Sequence, residues 1–166
     1  MQGPPRAAVR FVDPSVGTVN EGYLLAALGH HGELVSSGRE IPYRREFSHA
    51  DERFIGDAFG LFRKAGALAL VGVEVKDWAA PVAPKLARTY LEVYGRSCDY
   101  FYLAARRFLP GVRQLPRVGI LDLDGPRVVR RASRLRPDPE AWRYVIGSLT
   151  APPTALPPDS VQRTLG

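Results

Sequence analysis

The stretch Leu68-Ala69-Leu70-Val71-Gly72-Val73 is apolar at odd and even positions alike, and then runs into Glu74-Val75-Lys76. A strand that is apolar on both faces lies inside a sheet covered on both sides. Because successive side chains alternate, Glu74 and Lys76 point the same way. A carboxylate and an ammonium at the end of such a strand cost several kcal/mol unless they are paired, hydrogen-bonded or engaged with a metal. Asp57 has apolar neighbours in the same manner, within Phe54-Ile55-Gly56-Asp57-Ala58-Phe59. Arg53 to Arg63 and Leu68 to Lys76 read as two strands joined by a turn at Lys64-Ala65-Gly66, an antiparallel hairpin that brings the three charges together.

The rest of the chain supplies the layers. Thr18-Val19-Asn20-Glu21 is a capping box, and Tyr23, Leu24, Ala27 and Leu28 follow at helical spacing, which predicts a helix over 19–30. Glu33 to Ser36 and Arg39 to Phe47 read as extended chain with a turn at Ser37-Gly38. Pro84 and Gly95 bracket a helix over 84–94 whose apolar face carries Leu86, Tyr90, Val93 and Tyr94. Asp99 to Ala105 and Val118 to Leu123 are strands, and a turn at Asp124-Gly125-Pro126 leads into a short strand from Arg127 to Arg131. Asp138 as N-cap and Pro139 as first helical residue open a last helix to about Leu149. The order α-β-β-β-α-β-β-β-α predicts an α/β fold with a mixed central β-sheet flanked by helices. At 166 residues and 45% hydrophobic composition the chain suits one domain, over 9–150. A flexible arm at 1–8 and a proline-rich, disordered tail at 151–166 are expected to flank it.

Charge is unevenly distributed. Of the net +6, the segment from Arg96 to Arg136 holds ten arginines against Asp99, Asp122 and Asp124, so it carries +7 and the remainder about −1. The planar guanidinium donor fork suits phosphate oxygens, which makes a polyanion the expected partner and nucleic acid its leading candidate. A solvated arginine-rich face is the plainer reading of the same charges. Cys98 is the single cysteine, which rules out an internal disulfide and a cysteine-based zinc cage. The longest apolar run, Ala65 to Val73, falls far short of the ~20 residues that span a bilayer. The N-terminal residues lack the pattern of a secretory signal, so the expectation is a cytoplasmic protein without membrane attachment.

Two carboxylates plus a strand carbonyl form a hard-oxygen site of the kind that holds Mg²⁺, which keeps several waters and accepts a substrate phosphate. With Asp57 followed by Glu74-Val75-Lys76, the sequence resembles the PD-(D/E)xK nuclease superfamily, over roughly Glu21 to Arg131. The resemblance implies a restriction-endonuclease-like fold and a metal-dependent endonuclease that hydrolyses phosphodiester bonds, DNA being favoured over RNA. It implies Asp57, Glu74 and Lys76 as catalytic residues. Asp57, Glu74 and the Val75 backbone carbonyl are the implied ligands of Mg²⁺, with Mn²⁺ able to substitute. Lys85, Arg106, Arg107, Arg127, Arg130 and Arg131 are candidate nucleic-acid contacts, and cutting both strands favours a homodimer or two sequential nicks. Gly56 stands where a proline often precedes the acid, and Lys85 to Tyr90 lacks the Gln-x-x-x-Tyr pattern of RecB-like members.

Several of these residues carry a second reading. Glu21 is either the closing glutamate of the capping box or a further metal ligand on the first helix. Asp57 reads alternatively as a hairpin acid paired with an arginine, Glu74 and Lys76 as an ion pair, and Lys85 as a solvated first-turn lysine. His30 and His31, adjacent on a helix, point about 100° apart and read as polar C-terminal residues that suit the helix dipole. Tyr100 and Tyr102 alternate with Phe101 and read as a buried sheet face or as a base-stacking surface. A non-catalytic nucleic-acid-binding module on the same fold is the alternative to the nuclease.

Overall fold

The computed structural model describes residues 21–42, 55–125 and 127–150. The terminal arm and tail, Thr18 to Asn20 of the capping box, the Glu21 side chain, the extended chain at 43–47, Arg53-Phe54 and Pro126 lie outside the described residues.

A six-stranded sheet follows chain order, β1 (Glu33–Pro42), β2 (Ile55–Lys64), β3 (Ala67–Lys76), β4 (Tyr100–Ala105), β5 (Val118–Asp122) and β6 (Arg127–Arg130). The pairings β1–β2, β2–β3 and β5–β6 are antiparallel, whereas β3–β4 and β4–β5 are parallel. The mixture follows from the connections. A two-residue turn at Ala65-Gly66, both residues at positive φ, folds β3 straight back on β2. A parallel neighbour needs a crossover. Helix α2 (Pro84–Gly95) supplies it between β3 and β4.

Burial confirms that β3 is covered on both sides, since every residue from Leu70 to Lys76 is buried. One face packs Leu70, Phe59, Phe101 and Leu103 against α2 and the last helix, α3 (Pro139–Gly147). The other face packs Val71, Val73, Phe62 and Tyr102 against Leu24, Leu25 and Leu28 of α1 (Glu21–Ala26) and the turn that follows it. Each aliphatic or aromatic side chain so enclosed contributes about 1.5–3 kcal/mol. The chain is therefore an α/β protein with a six-stranded mixed sheet.

Two local expectations are corrected. The turn expected at Ser37-Gly38 is absent: β1 runs through both residues, Ser37 opposite Gly60 and Gly38 opposite Phe59. The small residues serve close packing instead. A Cβ on Gly38 would stand 3.0 Å from Leu149, and Ser37 exchanges two 2.9 Å backbone hydrogen bonds with Thr150, covering part of the sheet edge. The first helix also ends earlier than expected. It gives way after Ala26 to i→i+3 bonding, Leu28 N–H to Leu25 O at 3.0 Å, and to a 3₁₀ turn over Gly29–His31.

Candidate functional site

The antiparallel ladder between β2 and β3 ends at the pair Ala58 and Val73. One step further, Asp57 and Glu74 face each other across strands that have begun to part. The gap is filled by side-chain groups rather than by ladder bonds. Asp57 Oδ2 accepts the Val75 N–H at 2.8 Å, and the Tyr94 hydroxyl from α2 accepts the Asp57 N–H at 2.9 Å. That hydroxyl lies 2.7 Å from Glu74 Oε1 and 3.1 Å from Val73 O, so its single proton serves the carboxylate first. Tyr94 thus acts as a wedge that holds the end of the hairpin open.

Asp57, Glu74 and Lys76 are brought together there on the α2 face. Asp57 and Glu74 are fully buried, Lys76 is 4% exposed, and Lys76 Nζ stands 2.7 Å from Glu74 Oε2. The ammonium also lies over the rings of Tyr90 at 4.4 Å and Trp78 at 5.1 Å. Burial pulls the Lys76 pKa down, but Glu74 and Tyr90 outweigh it and hold the ammonium above its ordinary value. Burial and then Glu74 push the Tyr90 hydroxyl up against the opposing pull of Lys76, and Asp57 adds to the rise. All three charges therefore bear on one phenol.

The sequence reading missed Tyr94 because it counted the residue as part of an apolar stripe. A signal was present in Gly72, the one residue without a side chain on that face of β3. A Cβ there would come within 2.4 Å of the Tyr94 ring and 2.8 Å of the buried Cys98 Sγ. Gly72 is the slot into which Tyr94 fits, stacked on Phe101 at 4.6 Å.

As a donor set, Asp57, Glu74 and the Val75 carbonyl are hard oxygen ligands. Among the described residues there is no cluster of three or more His, Cys, Asp or Glu side chains that could hold a metal ion, and this site brings two carboxylates. Two carboxylates from parted strands suit a cation that keeps most of its coordination sphere for water and substrate oxygen, as Mg²⁺ does. By donor type, these are oxygens that such an ion accepts.

The candidate nucleic-acid contacts divide. Arg106 and Arg107 lie just beyond Ala105, the register partner of Lys76, and Lys85 is exposed in the first turn of α2. Arg106 is held by Asp77 and Asp124, at 2.5 Å each. Arg130 is bound to its own chain, donating to the carbonyls of Val118, Leu115 and Arg113, which leaves little of its donor fork for a phosphate. Arg127 pairs with Asp122 at 3.4 Å on the far strand, and Arg131 is exposed beside Ala27 and His30 of the turn that follows α1.

On the opposite face, His30 and His31 differ from their sequence reading. Both Nε2 atoms converge on the Tyr102 hydroxyl, at 3.1 and 2.8 Å. The 3₁₀ turn, which replaces the last turn of the expected helix, brings the rings to 4.2 Å from each other. Tyr102 itself is fully buried and Tyr100 half-buried, so the stacking face expected of the pair is reduced to Tyr100.

No family model matches the chain. No curated protein matches it. Among solved structures it is similar to SPO1766, a protein of unknown function from Silicibacter pomeroyi, at 20% identity and a TM-score of 0.49, over 76% of this chain and 78% of that one. No helix among the described residues is long and apolar enough to cross a membrane.

Proposed function

We propose that the protein is a Mg²⁺-dependent phosphodiester hydrolase of the PD-(D/E)xK kind, a restriction-endonuclease-like nuclease acting on DNA. The observation that carries this reading is the meeting of two fully buried carboxylates and a buried ammonium at the parted end of a central hairpin. Three buried charges cost several kcal/mol each before pairing. A purely structural hairpin end would be more stable with apolar residues, and such costs are characteristically retained at functional sites.

Asp57, Glu74 and the Val75 carbonyl would hold the metal, which when bound polarises a phosphate oxygen and acidifies a water. Tyr94 orients the Glu74 carboxylate, and the Asp57 carboxylate is fixed by the Val75 N–H. Lys76, kept charged beside Glu74, orients the attacking water and steadies negative charge growing on the phosphate. Lys85 and Arg107 offer exposed cations for the substrate backbone.

The test is incubation with labelled linear, nicked, branched and single-stranded DNA in Mg²⁺ or EDTA. Cleavage in Mg²⁺ alone is expected, abolished by Asp57→Ala and by Glu74→Ala. Lys76→Ala should slow turnover while leaving calorimetric Mn²⁺ binding nearly intact. Full activity in all three variants would remove this site from the reaction. The complete burial of both carboxylates and the closed Glu74–Lys76 pair favour a second reading, a non-catalytic nucleic-acid-binding module. For that module Mn²⁺ titration of wild type and Asp57→Ala would give the same null heat.

A further inference from the structure

On the face of the sheet away from Asp57 and Glu74, two adjoining hollows of about 590 and 470 Å³ share His30 and Arg131. Their sizes fall in the range of small-molecule sites. Among the described residues the walls hold four permanent cations, Lys64, Arg127, Arg131 and Arg134, and no carboxylate. Arg127 and Arg134 are partly neutralised by Asp122 and Asp99 behind them. Arg131 makes no ion pair within 4.0 Å among the described residues, and Lys64 is tethered over the turn by donating to His30 O at 3.0 Å. The floor is formed by His30 and His31, with Tyr100 beside them and the fully buried Tyr102 hydroxyl behind the two imidazoles.

Proton bookkeeping makes this floor responsive. Tyr102 has one proton between two imidazoles, so it donates to one Nε2 and accepts from the other, and both rings are satisfied while neutral. Burial, then His30, Arg131 and Lys64, bring the His31 pKa down to about 4, and burial with Arg131 and Lys64 lowers His30. Burial pushes Tyr102 up to about 12, so the phenol keeps its proton. An anion seated between Arg131 and Lys64 cancels the repulsion that those two cations exert on the rings.

We propose that this cleft binds a phosphate group, held by Arg131 and Lys64 and accompanied by proton uptake at His30 or His31. The same chemistry is presented by free phosphate and by the backbone of a single-stranded nucleic acid. The inference is independent of the metal-site reading, because it uses other residues on the other face and requires no cleavage.

The experiment follows the imidazole Cε1–H resonances of His30 and His31 in the full chain through a pH titration at fixed ionic strength. It is run with no addition, with inorganic phosphate, and with a short single-stranded oligonucleotide. At least one of the two pKa values is expected to rise by on the order of half a unit or more with a probe. Affinity for that probe should strengthen by the same factor as the shift, about threefold in all for a rise of half a unit, as the pH falls through the histidine pKa. Arg131→Ala and Lys64→Ala, both at exposed positions, should each reduce the rise, while Arg143→Ala on α3, which packs on the other face, should not. A response to phosphate identifies a site for the free ion, and a response to the oligonucleotide alone identifies the backbone. Unchanged histidine pKa values with both probes would overturn the proposal, as would a rise that survives in Arg131→Ala and Lys64→Ala.

Discussion

Tyr94 joins more of the candidate site than any charged residue does. Its hydroxyl accepts from Asp57 N–H and reaches both Glu74 and the Val73 carbonyl, all of them out of contact with water. Tyr94→Phe keeps the ring in the Gly72 slot but leaves the Asp57 N–H and the Glu74 carboxylate each short of a bond. A buried polar group left unsatisfied costs about 1–3 kcal/mol, so denaturant unfolding should show a loss of that order with an unchanged slope. An unaltered midpoint would mean that water takes the place of the hydroxyl. At this scale the sequence was informative where a residue type violated its surroundings. Asp57, Glu74 and Lys76 could be selected because charges stood among apolar neighbours. Tyr94 could not, because a tyrosine on the apolar stripe of a helix looks like any other core aromatic until its partner's hydrogen-bonding needs are known.

At the scale of elements, the seating of α2 on β3 depends on Gly72. Gly72→Ala would force a methyl group into the Tyr94 ring and toward Cys98 Sγ, and overpacking of this kind costs about 1–3 kcal/mol. The expected relief is a shift of α2 away from the sheet, and the single cysteine reports it: thiol labelling of Cys98 should be faster in Gly72→Ala than in wild type under native conditions. Equal labelling rates would place the adjustment in the Tyr94 rotamer alone. Among the described residues the order of α-helices and strands was legible, since the hairpin turn, Pro84 and Pro139 all mark boundaries by local geometry, whereas the 3₁₀ turns were not. What failed was local grammar overridden from a distance. Ser37-Gly38 has the composition of a turn, yet residues more than a hundred positions later, Leu149 and Thr150, recruit it into a strand.

For the whole molecule, the arginine-rich segment was legible as a charge excess but not as a surface, because three-dimensional partners decide which guanidinium groups are available. Arg130 is consumed by backbone carbonyls and Arg106 by two aspartates, whereas Arg107, two residues past the register partner of Lys76, and Lys85 are exposed. If DNA lies across that end of the sheet, binding should weaken steeply with salt, and Arg107→Ala should lower the slope of log affinity against log salt by about 1. Arg130→Ala should leave that slope alone and lower stability instead. Fluorescence anisotropy over a salt series separates the two, and equal slopes in wild type and Arg107→Ala would take Arg107 off the DNA path. The order of assembly follows from the same topology. Asp57, Glu74 and Lys76 arrive on one hairpin closed by a two-residue turn, while Tyr94 comes on a crossover that must be completed before β4 can pair in parallel. Local pairings form early and distant ones late. The charged end of the hairpin is therefore made first and acquires its hydroxyl wedge afterwards, so the loss of that wedge should speed unfolding far more than it slows refolding.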